Sequence, residues 1–242
     1  MTEKNYIFAD VPVTISAHDP YVTRMCREYE AETPGVRIEA TPEEIERERA
    51  GMGEDFPGGY LESLAVYRKI CEEMLFFHTF LFHGSAVEVD GEAYLFTAPS
   101  GTGKSTHVRL WRERFGERAV VINDDKPLIQ VRREAVFVCG TPWSGKHRLD
   151  SNRKAPLRAV CLLERGTENH VERIAPADGY PALFRQTYRP KDREKMKRTL
   201  ELLGELAKRV PLYRMRCDVS QEAVTAAWEA MGTGKRKEKR DE

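Results

Sequence analysis

Nine residues constrain this chain more than any others. Ala98-Pro99-Ser100-Gly101-Thr102-Gly103-Lys104-Ser105-Thr106 stand between an apolar run, Glu92-Ala93-Tyr94-Leu95-Phe96, and a helix-forming stretch from about Lys104 to Arg114. A strand, a glycine-rich turn and a helix in that order gather backbone N–H groups at the positive end of the helix, which is a cradle for phosphate. Gly101 and Gly103 let the main chain approach the oxygens, and Ser100 and Thr102 complete the turn. Lys104 places a cation on the β- and γ-phosphates. Ser105 offers a hydroxyl to Mg²⁺, and Thr106 adds a second one nearby. The pattern Ala98-x-x-x-x-Gly103-Lys104-Ser105 departs from the glycine-first form at one position, where alanine is the smallest replacement. A plain glycine-rich turn is the alternative; the strand before, the helix after and Lys-Ser at the right offset weigh against it.

A second element follows about twenty residues later. Ala119–Ile122 is a short apolar run that predicts a buried strand, and Asn123-Asp124-Asp125-Lys126-Pro127 follows it. Carboxylates at the C-terminal end of such a strand commonly flank a phosphate loop. One can hold Mg²⁺ and the other can take a proton from an attacking hydroxyl. Taken alone, the segment is rich enough in turn formers to be a surface turn. His83, just before the hairpin that feeds the loop, would on its own more often be a hydrogen-bonded structural histidine.

The bulk numbers exclude several classes. The 242 residues carry 39 Lys plus Arg against 39 Asp plus Glu, so no net basic charge marks a nucleic-acid binder. The five cysteines are scattered and never form a Cys-x-x-Cys pair, which fits reduced, mostly buried thiols in a cytoplasmic protein. No secretory signal is visible at the start. The longest apolar stretch, Met74 to Phe82, falls short of the roughly 20 residues a membrane helix needs.

Along the chain, Tyr6–Phe8 and Val11–Ile15 read as strands, and Thr41-Pro42-Glu43-Glu44 as a capped helix start with a capping box. Gly51 to Gly59 is loop-like. Leu64, Tyr67, Cys71, Met74, Phe77 and Leu81 recur at three and four, which predicts a helix from about Tyr60 to Phe80 with a core-facing stripe. Ser85–Val89 and Glu92–Phe96 flank Asp90-Gly91, a hairpin signal. Ala135–Cys139 and Arg158–Leu163 read as further buried strands. A helix over about Lys191 to Val210 should turn Met196, Leu200, Leu203 and Leu206 inward. A strand at Leu212–Cys217 leads to a last helix, for which Asp218 and Gln221 offer a capping box. Three regions are expected: an α+β region over 1–75 suited to substrate recognition, a catalytic core over 76–232, and a charged, disordered tail over 233–242.

His83-Gly84-Ser85-Ala86, Ser100–Ser105 and Asp124-Asp125, in that order and spacing, resemble the HPr kinase/phosphorylase family, and the same order is similar to the nucleotide core of phosphoenolpyruvate carboxykinases. The resemblance covers roughly residues 80–165 and, weakly, the C-terminal part. It implies an α/β fold, a P-loop kinase core built on a mixed sheet, with the smaller N-terminal α+β region added. It implies Asp124 as general base toward a hydroxyl, Asp125 and Ser105 on the metal, and His83 in contact with the catalytic carboxylate. Lys104 keeps its phosphate role. The family's Glu-x-Arg-Gly-type signature has no counterpart in Phe137–Lys146, where its acidic and basic members are missing. The family also includes peptide kinases of lasso-peptide clusters, which this shorter chain suits better than a regulatory HPr kinase.

Gly140–Arg153 combines a rigid turn, Trp143 and several basic side chains. It predicts either a loop closing over phosphates, with Lys146 or Arg148 stabilising transferred charge, or a plain connection with Trp143 in the core. The expectation is an ATP- and Mg²⁺-dependent kinase acting on a hydroxyl-bearing peptide, protein serine or small metabolite, without nucleic acid or membrane; the resemblance adds a homo-oligomer as one assembly, since HPr kinases are oligomers. A nucleotide-sensing module with little turnover, an HPr-type bifunctional kinase/phosphorylase and a carboxykinase-like lyase are the alternatives.

Overall fold

The structure is a computed structural model and describes residues 1–52, 56–145 and 147–232. Lys146, the expected tail over 233–242 and part of the expected loop at Gly51–Gly59 lie outside the described residues.

The chain opens with an antiparallel pair, β1 (Thr2–Phe8) and β2 (Val11–Ala17), then α1 (Pro20–Met25) and β3 (Val36–Glu39), which runs parallel to β2. Two helices follow, α2 (Pro42–Gly51) and α3 (Gly58–Met74). The capping box of α2 forms as its sequence predicts. Thr41 Oγ1 accepts from the Glu44 N–H, and the Glu44 carboxylate accepts from the Thr41 N–H. α3 stops earlier than the apolar spacing predicts. A 3₁₀ turn over Leu75–Phe77 and a left-handed His78 (φ 55°) end it, and Thr79–Leu81 becomes strand β4. Tyr67, Cys71 and Met74 are buried as expected, whereas Phe77 is exposed.

Next come β5 (Ser85–Val89), β6 (Glu92–Thr97), α4 (Lys104–Phe115), β7 (Ala119–Asn123), β8 (Leu128–Val131), β9 (Val136–Cys139) and β10 (Lys154–Arg165). β11 (His170–Ile174), α5 (Pro176–Gln186), α6 (Arg193–Arg209), β12 (Leu212–Cys217) and α7 (Gln221–Gly232) complete the described chain. Among the described residues, nine strands form one curled, mixed sheet in the order β4-β8-β9-β10-β6-β5-β7, with β12 and then β11 added beside β10. The fold is mixed α/β.

β10 causes the curl. Its start pairs antiparallel with β9, and its later part runs parallel to β6 and to β12. Pro156 removes a ladder donor near the changeover, and the register shifts between Leu157 and Ala159, a bulge that bends the strand.

Strand alternation divides the sheet's two faces. Ala86, Leu95 and Ile122 meet α5 and α6 through Leu183, Leu202, Leu203 and Leu206. Val87, Tyr94 and Phe96 meet α4 and α7 through Val108, Trp111, Val224 and Ala227. In α6 the inward stripe is rotated from the expected one. Thr199 and Leu202 are buried with Leu203 and Leu206, while Leu200 is exposed and Met196 half-buried. The expected capping box of α7 is replaced by Ser220, whose Oγ accepts from the Ala223 N–H; Asp218 instead accepts from Asn169 and Ser220.

A third core joins β1–β3 and α3 to Leu128, Cys139 and Trp143 of the larger part. Trp143 is 4 % exposed, stacks on Tyr67 at 4.1 Å and donates from Nε1 to the Ser63 carbonyl. Of the two readings of its loop, Trp143 follows the core one.

Candidate functional site

Strand register brings the three sequence elements together. β5 lies between β6 and β7 and runs antiparallel to both, with Ser85 opposite Phe96 and Ala86 opposite Asn123. The start of β5, with His83 just before it, therefore sits at the same sheet edge as the ends of β6 and β7. The glycine-rich loop leaves β6 there, and Asp124-Asp125 leave β7 there.

The loop turns through left-handed glycines, Gly101 (φ 77°) and Gly103 (φ 121°), a region costly for other residues. Gly103, the N-cap of α4, has no side chain to cap the helix, so no capping side chain occupies its first-turn N–H groups. Lys104 is 8 % exposed and its Nζ donates to the Ala98 carbonyl at 3.0 Å. Burial pushes its ammonium below the ordinary lysine range, against the pull of Asp125 and Asp124. Ser105 and Thr106 are half-buried on the same turn.

Asn123 shapes the acidic turn. It is fully buried, its Nδ2 donates to the carbonyls of Thr141 and Trp143, and its Oδ1 accepts from the N–H groups of Asp125 and Lys126 at 2.8 and 2.6 Å. One amide therefore ties the turn to the 140s loop. The Asp124 N–H donates to the Leu149 carbonyl, and the Ser151 N–H to that of Ile122, so residues 149–151 run along the end of β7. Ser144 Oγ donates to Asp150, whose carboxyl is pushed up by burial.

The two carboxylates differ. Asp125 has both oxygens engaged: Oδ1 lies 3.2 Å from His83 Nε2, and Oδ2 2.9 Å from Lys126 Nζ. These partners outweigh its partial burial and hold its carboxyl down at about 2. Asp124 is 6 % exposed, and its buried Oδ1 has no hydrogen-bond partner among the described residues. The resemblance implied that His83 touches the catalytic carboxylate, assigned to Asp124; the structure places His83 against Asp125. Arg148 is exposed with a left-handed backbone, and among the described residues no hydrogen bond or ion pair joins its side chain to the acidic pair.

Two side chains at this edge were absent from the sequence reading. Gln186, the last residue of α5, has its side-chain amide 2.8 Å from His83 Nδ1, and its carbonyl accepts from the His83 N–H at 2.7 Å. Arg165, the last residue of β10, donates from Nη2 to the Gly101 carbonyl and from Nε to that of Thr102 at 3.3 Å. Each peptide points its N–H away from its C=O. With the Thr102 carbonyl held on Arg165, the Gly103 N–H of the same peptide is aimed away from the guanidinium. Neither residue has a motif around it; each arrives from more than 60 residues away.

Among the described residues no three His, Cys, Asp or Glu side chains form a metal cluster. Mg²⁺ is commonly held by one or two carboxylates together with substrate phosphates. The Asp125 carboxylate and the Ser105 hydroxyl fit an ion that arrives with phosphate, not a resident metal cage, and the buried Oδ1 of Asp124 stays without a partner beside them.

A family model described as SynChlorMet cassette protein ScmC matches residues 61–231. No curated protein matches the chain. A solved structure of the HPr(Ser) kinase/phosphatase from Coxiella burnetii is similar at 10 % identity and a TM-score of 0.37, over 63 % of this chain and 92 % of that one. Among the described residues no helix is long and apolar enough to cross a membrane. The matched span is more than half of the chain, and the chain belongs to the ScmC family.

Proposed function

We propose that this ScmC-family chain is a P-loop kinase that moves the γ-phosphoryl group of ATP, with Mg²⁺, onto a hydroxyl acceptor. The observation that carries the reading is the unpartnered Oδ1 of buried Asp124 at the sheet edge where the glycine loop and Lys104 also lie. A buried carboxylate oxygen left without a donor is costly unless a ligand completes it.

The loop N–H groups bind the triphosphate, and Lys104 leaves the Ala98 carbonyl to meet the β- and γ-oxygens. Ser105 and Asp125 would hold Mg²⁺, with Lys126 yielding its place on Oδ2. The ion supplies charge neutralisation along the phosphates. His83 orients Asp125. Asp124 Oδ1 accepts the acceptor's proton as its oxygen attacks the γ-phosphorus and the bond to the β–γ bridging oxygen breaks, ADP leaving with that electron pair. The N-terminal sheet, tied to the 140s loop through Trp143, is the region available to recognise the acceptor.

Transfer of label from γ-labelled ATP to serine-bearing peptides and small alcohols, with and without Mg²⁺, tests the reading. Label on a hydroxyl, dependent on Mg²⁺, is the expected result. Tight ATP binding with neither transfer nor ADP formation would instead favour a nucleotide sensor.

A further inference from the structure

The phosphate loop has cavities on both flanks. One, of about 280 Å³, borders Thr97, Ala98 and Pro99 together with Gln186, the partner of His83. The other, of about 410 Å³, borders Gly101–Gly103 and the first turns of α4, and is lined as well by Gly166 and Cys217–Val219. Its volume lies in the range of small-molecule sites, about 300–1,000 Å³.

A bound triphosphate has a direction. Its γ end must lie toward Asp124 and the His83–Asp125 pair, because the acceptor has to reach both. The first cavity, touching Gln186, is on that side. The nucleoside end then points past Gly101–Gly103 into the second cavity. The lining suits it. Leu110, Leu163 and Val219 give apolar walls for the flat faces of a base, and Glu164 and Asp218 give acceptor oxygens for ribose hydroxyls or an exocyclic amine. Val219, in this lining, is 69 % exposed. His107, also in the lining, is buried; its Nε2 accepts from Trp111 Nε1, so the ring proton sits on Nδ1, and Nδ1 has no partner among the described residues. Burial holds this ring neutral, its value lowered to about 4.

We infer that the cavity between the first turns of α4 and the Arg165-Gly166 and Cys217–Val219 segments is a nucleoside subsite, taking the base and ribose of the nucleotide whose phosphates occupy the loop. This rests on the proposed phosphate-loop reading and adds the place and orientation of the nucleoside. Arg165, which clamps the loop carbonyls and also borders the cavity, stands at the junction of the two parts.

Cys217 supplies the test without a mutation. It lines the cavity and is half-buried, whereas Cys26, Cys71, Cys139 and Cys161 are buried. The rate of Cys217 alkylation by iodoacetamide is followed by peptide mass spectrometry in the full chain, with Mg²⁺ and either ATP or inorganic tripolyphosphate, and ligand binding is measured by calorimetry in the same buffer. Saturating ATP is expected to slow alkylation about tenfold, since such sites bury most of their ligand's surface. Tripolyphosphate is expected to bind the loop and leave the rate within about twofold, because it has no part to fill the cavity. Bound ATP that leaves the rate unchanged, or tripolyphosphate that protects as well as ATP, overturns the nucleoside subsite while the phosphate-loop reading stands. Failure of both ligands to bind overturns both.

Discussion

His83 Nε2 lies 3.2 Å from Asp125 Oδ1, and the opposite ring nitrogen meets the Gln186 amide at 2.8 Å. The imidazole is therefore held from both sides, by the turn after β7 and by the end of α5. With Asp125 anionic, Nε2 has to carry a proton toward it. Replacing His83 with Ala removes this support while leaving the loop untouched. Transfer is expected to fall about tenfold to a hundredfold, the scale of a lost positioning contact, with the ATP dissociation constant little changed. Parallel rate and calorimetric measurements separate the two effects.

Arg165 acts on the loop rather than on the acceptor. Its guanidinium holds two carbonyls, and charge-assisted hydrogen bonds of this kind contribute about 1.5–3 kcal/mol each when shielded and less at an exposed site. Arg165→Ala is expected to weaken ATP binding about tenfold, with Arg165→Lys recovering little because an ammonium cannot span both oxygens. Titration calorimetry of the three proteins reads this directly.

The three motifs were legible as a set because strand register alone determines their meeting. Once Ser85–Val89 and Glu92–Thr97 form a hairpin and Ala119–Asn123 pairs on the other edge of its first strand, His83, the loop and the acid pair must share an edge. Short-range signals carried well: the Thr41–Glu44 box, the Asp90-Gly91 turn and the α4 start all form as their residues dictate. What depended on tertiary neighbours did not carry. α3 ends at Met74 because His78 turns left-handed, which nothing in the apolar spacing announces. α6 rotates so that Leu202, not Leu200, meets the sheet. β3, β8, β11 and α5 lacked an apolar pattern strong enough to be read, and with α5 went Gln186. Arg165 is one arginine among many until β10 places it beside Gly101.

Asp125 links the site to stability through pH. Its carboxyl titrates at about 2 in the fold, below the ordinary value of 3.8. A depressed carboxylate stabilises the fold fully above its unfolded value, and that stabilisation is lost as pH falls through the folded one. The window is therefore pH 4 down to 2. The contribution is about 2 kcal/mol from a shift of this size. Urea melts of wild type and Asp125→Asn should differ by that order at pH 6 and converge toward pH 2. A constant difference across the range would show that the ion pairs with His83 and Lys126 contribute nothing.

Asn123 is the structural hinge of the acid turn, with both ends of its amide engaged while fully buried. Asn123→Ala leaves buried carbonyls and two turn N–H groups without partners, at about 1–3 kcal/mol for each group that water cannot reach. A loss of about 3 kcal/mol is expected in denaturant titrations, together with loss of transfer because Asp124 and Asp125 are no longer held. Asn123→Asp keeps the acceptor for the turn but sets a buried carboxylate oxygen against the Thr141 and Trp143 carbonyls, so it should lose at least as much stability as Ala.

The most direct measurement compares Asp124→Asn with the wild-type chain in Mg-ATP binding and in label transfer to a hydroxyl acceptor. Asparagine keeps the shape of the side chain and removes its ability to take a proton. If Asp124 is the base, ATP binds the variant within about twofold of wild type while transfer falls by a factor on the order of 10³. Undiminished transfer in the variant would contradict the role of Asp124, and transfer lost only in step with ATP binding would place the residue in nucleotide binding instead.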